Sequence, residues 1–368
     1  VGMKFTASQE SLLGELQFLQ GVAEKKKTIP ILSNILLRAE GDFLTLAATD
    51  LEVSLTGGCE AQVEEPGGIT VSAKKIFEVV RSLADEKISF ALTDGNWLEI
   101  TCGNSFFRLV GLTPKDFPEV PETNFSKAEK VSHDLFNDLI SRTIFAVTHQ
   151  DARYALNGAL LEINSKTIRM VATDAHRLAM VEEAFSSAAE VKAIVPKKTL
   201  TELRNLGKGE EMLFAQDKNH LFFKVGHRVL ASRVIEGQFP SYEKVIPPQN
   251  PLTMVFTKET MAGAIRRVSL LANERSRAVK FTLSPGEVTV SSSNPELGEA
   301  EEKVTVQYEG SELEVCFNAQ YILDFLTAVE GEEVALHLKD SASQGLLEPH
   351  KQSSETSKYK CVIMPMRL

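Results

Sequence analysis

The residues that could support chemistry are few and poorly grouped. The segment from Thr173 to Arg177 reads T-D-A-H-R, which places an acid two residues before a histidine, a spacing that could serve general acid–base catalysis. No serine or cysteine nucleophile motif accompanies this pair. The histidines show no HxH or HExxH spacing, and neither a GxxxxGK[ST] nor a GxGxxG loop occurs. The sequence therefore predicts no catalytic residue, no metal site and no cofactor.

Composition and cysteine usage are typical of a globular protein of a reducing compartment. Hydrophobic residues make up 43% and charged residues 24% of the chain, and its apolar runs are shorter than the roughly 18 residues of a membrane span. The 4 cysteines form no CxxC pair and no metal-ligand spacing. We therefore expect reduced, buried thiols in a cytoplasmic protein.

The segment that holds the acid and the histidine recurs along the chain. Asp50 closes the apolar run LTLAATD, Asp174 closes IRMVATD and Asn294 closes the weaker VTVSSSN. The separations are 124 and 120 residues (174 − 50 and 294 − 174), close to one third of the 368 residues. A repeat of this length indicates three copies of one domain.

A second landmark keeps the same register. The segments SAKKIFEVVRSL, VPKKTLTELRNL and NAQYILDFLTAV begin at Ser72, Val195 and Asn318, each 123 residues after the one before (195 − 72 and 318 − 195). Proline-rich segments fall where linkers between copies are expected. The predicted domains are residues 1–123, 124–251 and 252–368.

Each copy carries two amphipathic helical patterns among short strand-like segments. In the first copy, Leu12, Leu16 and Leu19 recur at helical spacing, and Ile76 and Val80 do so in a second helix. Alternating segments such as NILLRAE, separated by glycine-containing turns, read as strands. Two helices and roughly eight short strands per copy predict an α+β domain with antiparallel sheets.

Paired lysines open the second helix of two copies. They are Lys74 and Lys75 in the first copy and Lys197 and Lys198 in the second, whereas acidic residues concentrate in strand and loop segments. One interpretation is that these helix faces are simply solvated; the recurrence favours a shared basic surface that holds phosphates without reading bases. Because the net charge is −10, lasting attachment to DNA would need topology rather than affinity.

The carboxyl-terminal segment V-I-M-P-M-R-L is apolar where chain ends are usually polar. Val362 and Ile363 fit a last β-strand of the third domain. Met364 and Met366 have less reason to be apolar unless a partner binds there, because methionine suits adaptable recognition surfaces.

Several segments together resemble one protein family. They are TIPILSNILL (28–37), LAATDLE (46–52), HQDARYALNG (149–158), ATDAHRLA (172–179), LLANERSRAV (270–279) and the terminal MPMRL. In these segments the chain resembles the bacterial DNA polymerase III β subunits, the replicative sliding clamps, and the likeness covers Met3 to Leu368.

The resemblance implies a head-to-tail homodimer whose six clamp domains close into a ring, with helices lining the hole. The ring would encircle double-stranded DNA without sequence specificity and act as a processivity factor by tethering the polymerase. The implied partners are the replicative DNA polymerase α subunit, the clamp loader, and other polymerases and repair proteins that carry a clamp-binding peptide. The implied location is the bacterial cytoplasm at the nucleoid, with no membrane partner.

The resemblance also implies a partner-peptide groove between the second and third domains. Partners would insert a short peptide with a glutamine and bulky apolar residues. Lys244 stands where an arginine is common, which weakens planar hydrogen bonding there. The groove residues are Leu156, Thr173, His176, Arg177, Leu178, Pro240, Lys244, Val245, Val362, Ile363, Met364, Pro365, Met366 and Arg367.

DNA contacts and subunit closure follow from the same resemblance. Ala155 stands where some relatives have a second tyrosine. Subunit closure is implied at Phe107 and Leu109 on one edge and at Leu270 and Leu271 on the other; Phe107 and Leu109 fit alternating core positions of a strand equally well. The implied DNA contacts are Lys26, Gln150 and Tyr154, with Lys74, Lys75, Lys197, Lys198 and Arg204 as further channel residues.

Two other functions stay open at this point. The chain could be a clamp paralogue with changed partners, which grafting of its groove residues or replacement of the resident clamp would reveal. It could also be an enzyme built on repeated domains, whose activity would then depend on Asp174 or His176.

Overall fold

The computed structural model describes residues 2–23, 29–84, 87–148, 152–207, 211–351 and 357–367. Within these ranges the chain clusters into two compact units. The first unit comprises Val1–Asn137 and Lys198–Val234, and the second comprises Asp138–Lys197 and Ile235–Leu368.

The described residues form two α-helices in each third of the chain, as the apolar periodicity predicts. Leu12, Leu16 and Leu19 of the first helix are all fully buried, and the Ser72 hydroxyl accepts a hydrogen bond from Lys75 N at the start of the second. The helices are α1 (Gln9–Leu19), α2 (Ala73–Ser82), α3 (His133–Ser141), α4 (Lys197–Leu203), α5 (Lys258–Val268) and α6 (Ala319–Ala328).

Eight strands lie in each third of the described chain, and their pairings are antiparallel. The first third has β1 (Lys4–Ser8), β2 (Asn34–Glu40), β3 (Phe43–Thr49), β4 (Val53–Glu65), β5 (Gly67–Ser72), β6 (Lys87–Thr93), β7 (Trp97–Cys102) and β8 (Ser105–Leu112). The second has β9 (Glu129–Ser132), β10 (Gly158–Ile163), β11 (Thr167–Thr173), β12 (Arg177–Ala184), β13 (Val191–Pro196), β14 (Glu211–Gln216), β15 (His220–Val225) and β16 (Arg228–Arg233). The third has β17 (Leu252–Thr257), β18 (Ala278–Ser284), β19 (Glu287–Asn294), β20 (Gly298–Thr305), β21 (Leu313–Asn318), β22 (Glu333–Leu338), β23 (Gly345–Pro349) and β24 (Lys358–Ile363).

Three sheets organise these strands. The first unit holds a 12-stranded sheet in the order β1-β6-β7-β8-β5-β2-β3-β4-β16-β15-β14-β9. The second unit holds an 8-stranded sheet, β13-β10-β11-β12-β24-β23-β22-β17, and a 4-stranded sheet, β20-β19-β18-β21. The α+β class with antiparallel sheets is therefore confirmed.

The sheets run across the boundaries of the sequence repeats. In the first unit β4 pairs with β16, which places Leu55 opposite Leu230; in the second unit β12 pairs with β24, which places Leu178 opposite Val362. Compact units and sequence repeats therefore divide the chain differently, and the domain limits given above stay a prediction.

The cysteines lie in the interior. Cys59, Cys102, Cys316 and Cys361 are all buried. Burial raises the pKa of the Cys59 thiol to about 11 and that of the Cys361 thiol to about 12, so both carry their proton at neutral pH. Protonated, buried thiols are poor nucleophiles, so these cysteines act as core residues.

Candidate functional site

The second unit contains an apolar cavity of about 450 Å³. Eight of the predicted groove residues line it: Leu156, Thr173, Arg177, Leu178, Pro240, Val245, Val362 and Met364. The other lining residues are Arg153, Ala155, Ala175, Gln238 and Tyr242. The remaining predicted groove residues, His176, Lys244, Ile363, Pro365, Met366 and Arg367, do not line this cavity.

The floor of the cavity is part of the hydrophobic core. Leu178 on β12 and Val362 on β24 face each other across the strand pair, and each is 1% exposed. Leu156, on a 3₁₀ helix formed by Tyr154–Asn157, is 3% exposed. A rigid apolar floor that is formed before a ligand arrives is what a short apolar peptide needs for binding.

One wall of the cavity is the tight turn between β11 and β12. Thr173 Oγ1 donates to Arg177 O (2.7 Å) and accepts from Ala175 N (3.1 Å). Asp174 Oδ1 accepts from the backbone N atoms of His176 and Arg177, both at 2.9 Å. Ala175 has a φ of 72°, in the left-handed region that a non-glycine residue seldom adopts. The side chains of Thr173 and Asp174 thus hold the turn that places Ala175 in the cavity.

These contacts also show how the Asp174 carboxylate, the candidate acid–base group, is used. The Asp174 carboxylate bonds to the backbone of His176, and its Oδ2 accepts from Arg177 Nε at 3.1 Å. Its hydrogen bonds therefore serve the turn, and the acid–histidine spacing in the sequence reflects local backbone structure. The geometry gives no support to an enzyme that depends on Asp174 and His176.

Arg177 is held from several sides. Its Nη1 donates to Asp324 Oδ2 at 2.5 Å and its Nη2 donates to Phe145 O at 2.6 Å. The guanidinium lies 4.4 Å from the ring centroid of Tyr321, which is a cation–π distance. Because its hydrogen bonds are already made, Arg177 acts as a fixed wall of the cavity.

Backbone hydrogen bonds fix the carboxyl-terminal segment beside the cavity. Met364 N donates to His176 O at 2.9 Å, and Met366 N donates to Cys316 O at 2.8 Å. Met364 is 36% exposed at the mouth, whereas Ile363 is buried. The two interpretations of this segment therefore both apply, because Val362 and Ile363 end a strand while Met364 lines the cavity.

Five lining residues were not predicted, although the segments quoted for the resemblance contain three of them. Arg153 and Ala155 belong to HQDARYALNG, and Ala175 belongs to ATDAHRLA. Gln238 and Tyr242 flank Pro240, so their position beside a predicted residue was the available signal.

The predicted DNA-contact residues fall into two groups by their surroundings. Lys74 and Lys75 on α2 are exposed and lie 3.9 and 2.9 Å from Glu78. Tyr154 is 75% exposed, and Arg204 is also exposed. Lys26 and Gln150 lie outside the described residues.

Lys197 and Lys198 instead make contacts inside their own units. In the second unit, Lys197 Nζ donates to Val147 O at 2.9 Å, and burial together with the charge of Arg177 lowers the pKa of this lysine. In the first unit, Lys198 Nζ pairs with Asp50 Oδ2 and donates to Val22 O. Their assignment to DNA stays a prediction.

The residues predicted to close the subunits lie on β8 and on the 3₁₀ helix Ser269–Leu271 that follows α5. On β8, Phe107 pairs with Ile100 of β7, and the alternate residues Phe106 and Val110 are 61% and 63% exposed. Leu109 is half-buried, like Phe107. Leu270 is 77% exposed and Leu271 is half-buried at the end of α5. β5 pairs with β8 only at Gly111 and Leu112, so among the described strands residues 105–110 of β8 pair with β7 alone. Exposed apolar side chains on such a half-paired segment are typical of a protein–protein contact.

The described ranges contain neither a metal-binding cluster nor a membrane-spanning helix. No group of three or more His, Cys, Asp or Glu side chains there is arranged to hold a metal ion. No helix in the same ranges is both long and apolar enough to cross a bilayer.

Comparison with known proteins assigns all three thirds of the chain. Models of the DNA polymerase III β subunit match residues 3–121 (N-terminal domain), 130–241 (central domain) and 243–367 (C-terminal domain). The β sliding clamp of Pseudomonas putida is 38% identical over 371 residues, with 100% of both chains covered.

Two solved structures from Pseudomonas aeruginosa are similar over 100% of both chains. The DNA polymerase III subunit β has a TM-score of 0.92 and 38% identity to this chain. A sliding clamp bound to griselimycin has the same TM-score and identity.

Proposed function

Because the chain belongs to the DNA polymerase III β-subunit family of sliding clamps, we propose that it is a DNA polymerase processivity factor that closes head to tail with a second copy around duplex DNA. The three matched domains and the full-length likeness to solved clamps support this role. The proposed domain limits remain 1–123, 124–251 and 252–368. The function requires no catalytic residue and no cofactor of its own.

The apolar cavity of the second unit carries the proposal for partner binding. Its floor is buried, its volume of about 450 Å³ suits a few side chains, and exposed Lys244 and Arg367 lie on neighbouring segments. Such a site would take a short peptide with apolar anchors and a glutamine, since buried apolar anchors dominate binding energy. The proposed carriers of that peptide are the polymerase α subunit, the clamp loader, and other polymerases and repair proteins.

The proposed contact with DNA is electrostatic and weak. Exposed Lys74, Lys75 and Arg204 can meet phosphates, and the hydroxyl of exposed Tyr154 can donate to a phosphate oxygen. A net charge of −10 opposes tight binding to DNA, so the link to DNA would be topological. This role places the protein at the nucleoid in the bacterial cytoplasm.

Subunit closure is proposed at β8 of one copy and at the 3₁₀ helix after α5 in the other. Phe107 and Leu109 would meet Leu270 and Leu271, with exposed Phe106 adding apolar area. Two different surfaces that meet head to tail form a closed ring when the rotation returns to its start.

Retention on DNA tests this proposal. The protein is loaded by its clamp loader onto a nicked circle and onto the same DNA after linearisation, and loading of both is verified at low salt. At high salt we expect retention on the circle and loss from the line, because only the circle traps a ring. Equal retention on both, or equal loss from both, would contradict a topological link.

A further inference from the structure

A row of alternating charges crosses five neighbouring strands of the 8-stranded sheet. Lys192 on β13 lies opposite Glu162 on β10, and Glu162 lies opposite Arg169 on β11. Arg169 lies opposite Glu182 on β12, and Glu182 lies opposite Lys358 on β24. We call this row, from Lys192 to Lys358, the charge ladder.

Neighbouring members of the charge ladder are in contact. Lys192 Nζ lies 3.2 Å from Glu162 Oε1, and Arg169 Nη1 lies 3.2 Å from Glu162 Oε2. Arg169 Nε donates to Glu182 Oε2 at 2.7 Å, and Lys358 Nζ donates to Glu182 Oε1 at 2.8 Å. Glu182 is only 4% exposed, and a buried carboxylate is tolerated when it is paired on both oxygens.

One aromatic residue links the charge ladder to the cavity. Tyr242 is 3% exposed, and its ring lines the cavity. Its hydroxyl donates to Glu162 Oε2 at 2.8 Å and accepts from Arg169 Nη1 at 2.6 Å. Tyr242 also begins the 3₁₀ helix Tyr242–Lys244, between Pro240 and Val245 of the cavity wall.

Both walls of the cavity are therefore anchored to the same row of charges. Tyr242 anchors the wall that contains Pro240 and Val245, while Lys358 anchors β24, the strand that leads through Val362 of the floor to Met364 of the other wall. The pairing of β12 with β24 then sets Leu178 opposite Val362 on the floor.

We infer that the charge ladder and the Tyr242 hydroxyl position the two walls of the groove for the partner peptide, so that Tyr242, Glu162, Arg169 and Glu182 are positioning residues. This inference rests on the proposed peptide-binding function. Holding a binding site in its bound geometry raises affinity because less order is lost when the ligand arrives. Loss of a ladder contact should therefore weaken peptide binding beyond its effect on stability.

Tyr242→Phe is the most direct variant. It keeps the ring that lines the cavity and removes only the hydroxyl, leaving Glu162 and Arg169 with one partner fewer. We expect the Kd for the peptide to rise about three- to tenfold, in proportion to one buried hydrogen bond. The probe is a dye-labelled peptide that contains glutamine, leucine and phenylalanine, and the readout is fluorescence anisotropy with the full chain.

Tyr308→Phe is the matched control within the same unit. Tyr308 is also 3% exposed, and its hydroxyl donates to Ser311 O at 2.6 Å, but it does not line the cavity. We expect the two variants to lower Tm by similar amounts, whereas only Tyr242→Phe changes the Kd. Glu162→Gln, which keeps side-chain shape, should also raise the Kd, and its effect should not add to that of Tyr242→Phe.

The outcomes separate the inference from the proposed function. If the unaltered chain binds the peptide, and Tyr242→Phe and Glu162→Gln bind it with the same Kd as the unaltered chain, the positioning role alone would be overturned. Equal weakening by Tyr242→Phe and Tyr308→Phe would also overturn it, because the effect would then follow general destabilisation. Failure of the unaltered chain to bind would overturn the groove itself and the inference with it.

Discussion

The first and second repeats build the same turn around the same kind of residue, an aspartate, although the residues after that aspartate differ. In the first unit, Asp50 Oδ1 accepts from Glu52 N (3.0 Å) and Val53 N (2.7 Å), and Leu51 has a φ of 75°. In the second unit, Asp174 makes the equivalent bonds and Ala175 has a φ of 72°. The repeat therefore extends to individual backbone hydrogen bonds.

The strand that follows each turn also pairs in the same way. In the first unit Arg233 N donates to Glu52 O at 2.8 Å, and in the second unit Met364 N donates to His176 O at 2.9 Å. Arg233 of the first unit thus corresponds to Met364 of the second unit. Because the backbone of the turn and its paired strand is alike in both units, the groove of the second unit must arise from side chains that differ between them.

Side-chain size and polarity differ at the paired positions. Leu178 faces Val362 in the second unit, whereas the corresponding pair in the first unit is Ser54 facing Ala231. A cavity of about 800 Å³ does lie in the first unit, but Arg38, Lys115 and other charged residues line it. That cavity includes Pro118, the counterpart of Pro240, but it is not lined by Leu51 or Ser54, so the similar backbone of the first unit does not reproduce the apolar cavity.

The residues that flank the two sites differ in charge as well. Exposed His176 and Lys244 flank the cavity of the second unit. The residues 124 and 122 positions earlier (176 − 52 and 244 − 122) are Glu52 and Glu122, both exposed. A peptide that suits one region is therefore disfavoured at the other by charge as well as by shape.

Loss of the Met364 side chain should have the largest effect on the difference in peptide binding between the two units. Met364→Ala, or deletion of the last five residues, removes apolar surface from the cavity mouth. We expect peptide affinity to fall about 30-fold or more, as for a central apolar anchor. Fluorescence anisotropy measures the Kd. Arg233→Ala, at the corresponding position of the first unit, should leave it unchanged, and an unchanged Kd for Met364→Ala would remove the groove assignment.

The fixed arginine should matter next. Arg177→Ala removes the guanidinium that pairs with Asp174 and Asp324, and we expect the free energy of unfolding to fall by about 3 kcal/mol. Val53 occupies the corresponding place in the first unit, and Val53→Ala should cost only about 1 kcal/mol through lost packing. Denaturant unfolding compares the two variants. A smaller loss for Arg177→Ala than for Val53→Ala would contradict this account of the turn.

Two buried carboxyls should respond to acid in opposite ways. Burial disfavours the ionised form of Glu182, but hydrogen bonds from Lys358 and Arg169 outweigh it and lower its pKa. In the first unit, burial of Glu202 dominates over the charge of Lys198 and raises its pKa. A lowered pKa stabilises the fold above the unfolded value of about 4.3, and this stability is lost as pH falls through the folded pKa.

Substitution by glutamine tests these signs. At pH 7 we expect Glu182→Gln to lower the free energy of unfolding by about 1–2 kcal/mol and Glu202→Gln to leave it unchanged or raise it. The deficit of Glu182→Gln should begin to shrink as the pH falls below the unfolded value of about 4.3, where the unfolded chain gains its proton, and should vanish only below the lowered pKa of the folded protein. Thermal unfolding from pH 3 to 7 provides the measurement, and a deficit of constant size would contradict the sign given for Glu182.

Charge reversal beside the cavity should have the smallest effect. Lys244→Glu reproduces the acidic character of the first region, and we expect the affinity for an acidic partner peptide to fall about threefold to tenfold at low salt. The difference should shrink at high salt because exposed charges are screened. Glu122→Lys, at the corresponding position, should leave the affinity unchanged; equal effects of the two substitutions would show that net charge alone is responsible.

The helices and strands could be predicted from sequence because their signals are local. Apolar periodicity near Leu12 or Ile76 reports one helix at a time, and the repeat extends it to the other copies. The surroundings of single side chains were harder to predict. Lys198 reads as a free basic residue, but its partner Asp50 lies 148 positions away in sequence.

Some residues of the groove could be recognised only from the folded structure. Tyr242 meets Arg169 and Glu162 across 73 and 80 positions, a relation that no local pattern contains. Leu178 and Val362 came from the family resemblance, because only strand pairing brings them together. Ala155 was considered for DNA contact, and the structure places it on the cavity wall.

The number of peptides bound per chain tests the contrast between the two regions most directly. Isothermal titration of the full chain with the partner peptide should give one site per chain, and Met364→Ala should abolish the heat of binding. Two sites per chain, or full binding that survives Met364→Ala, would show that the first region also accepts the peptide and would contradict the account.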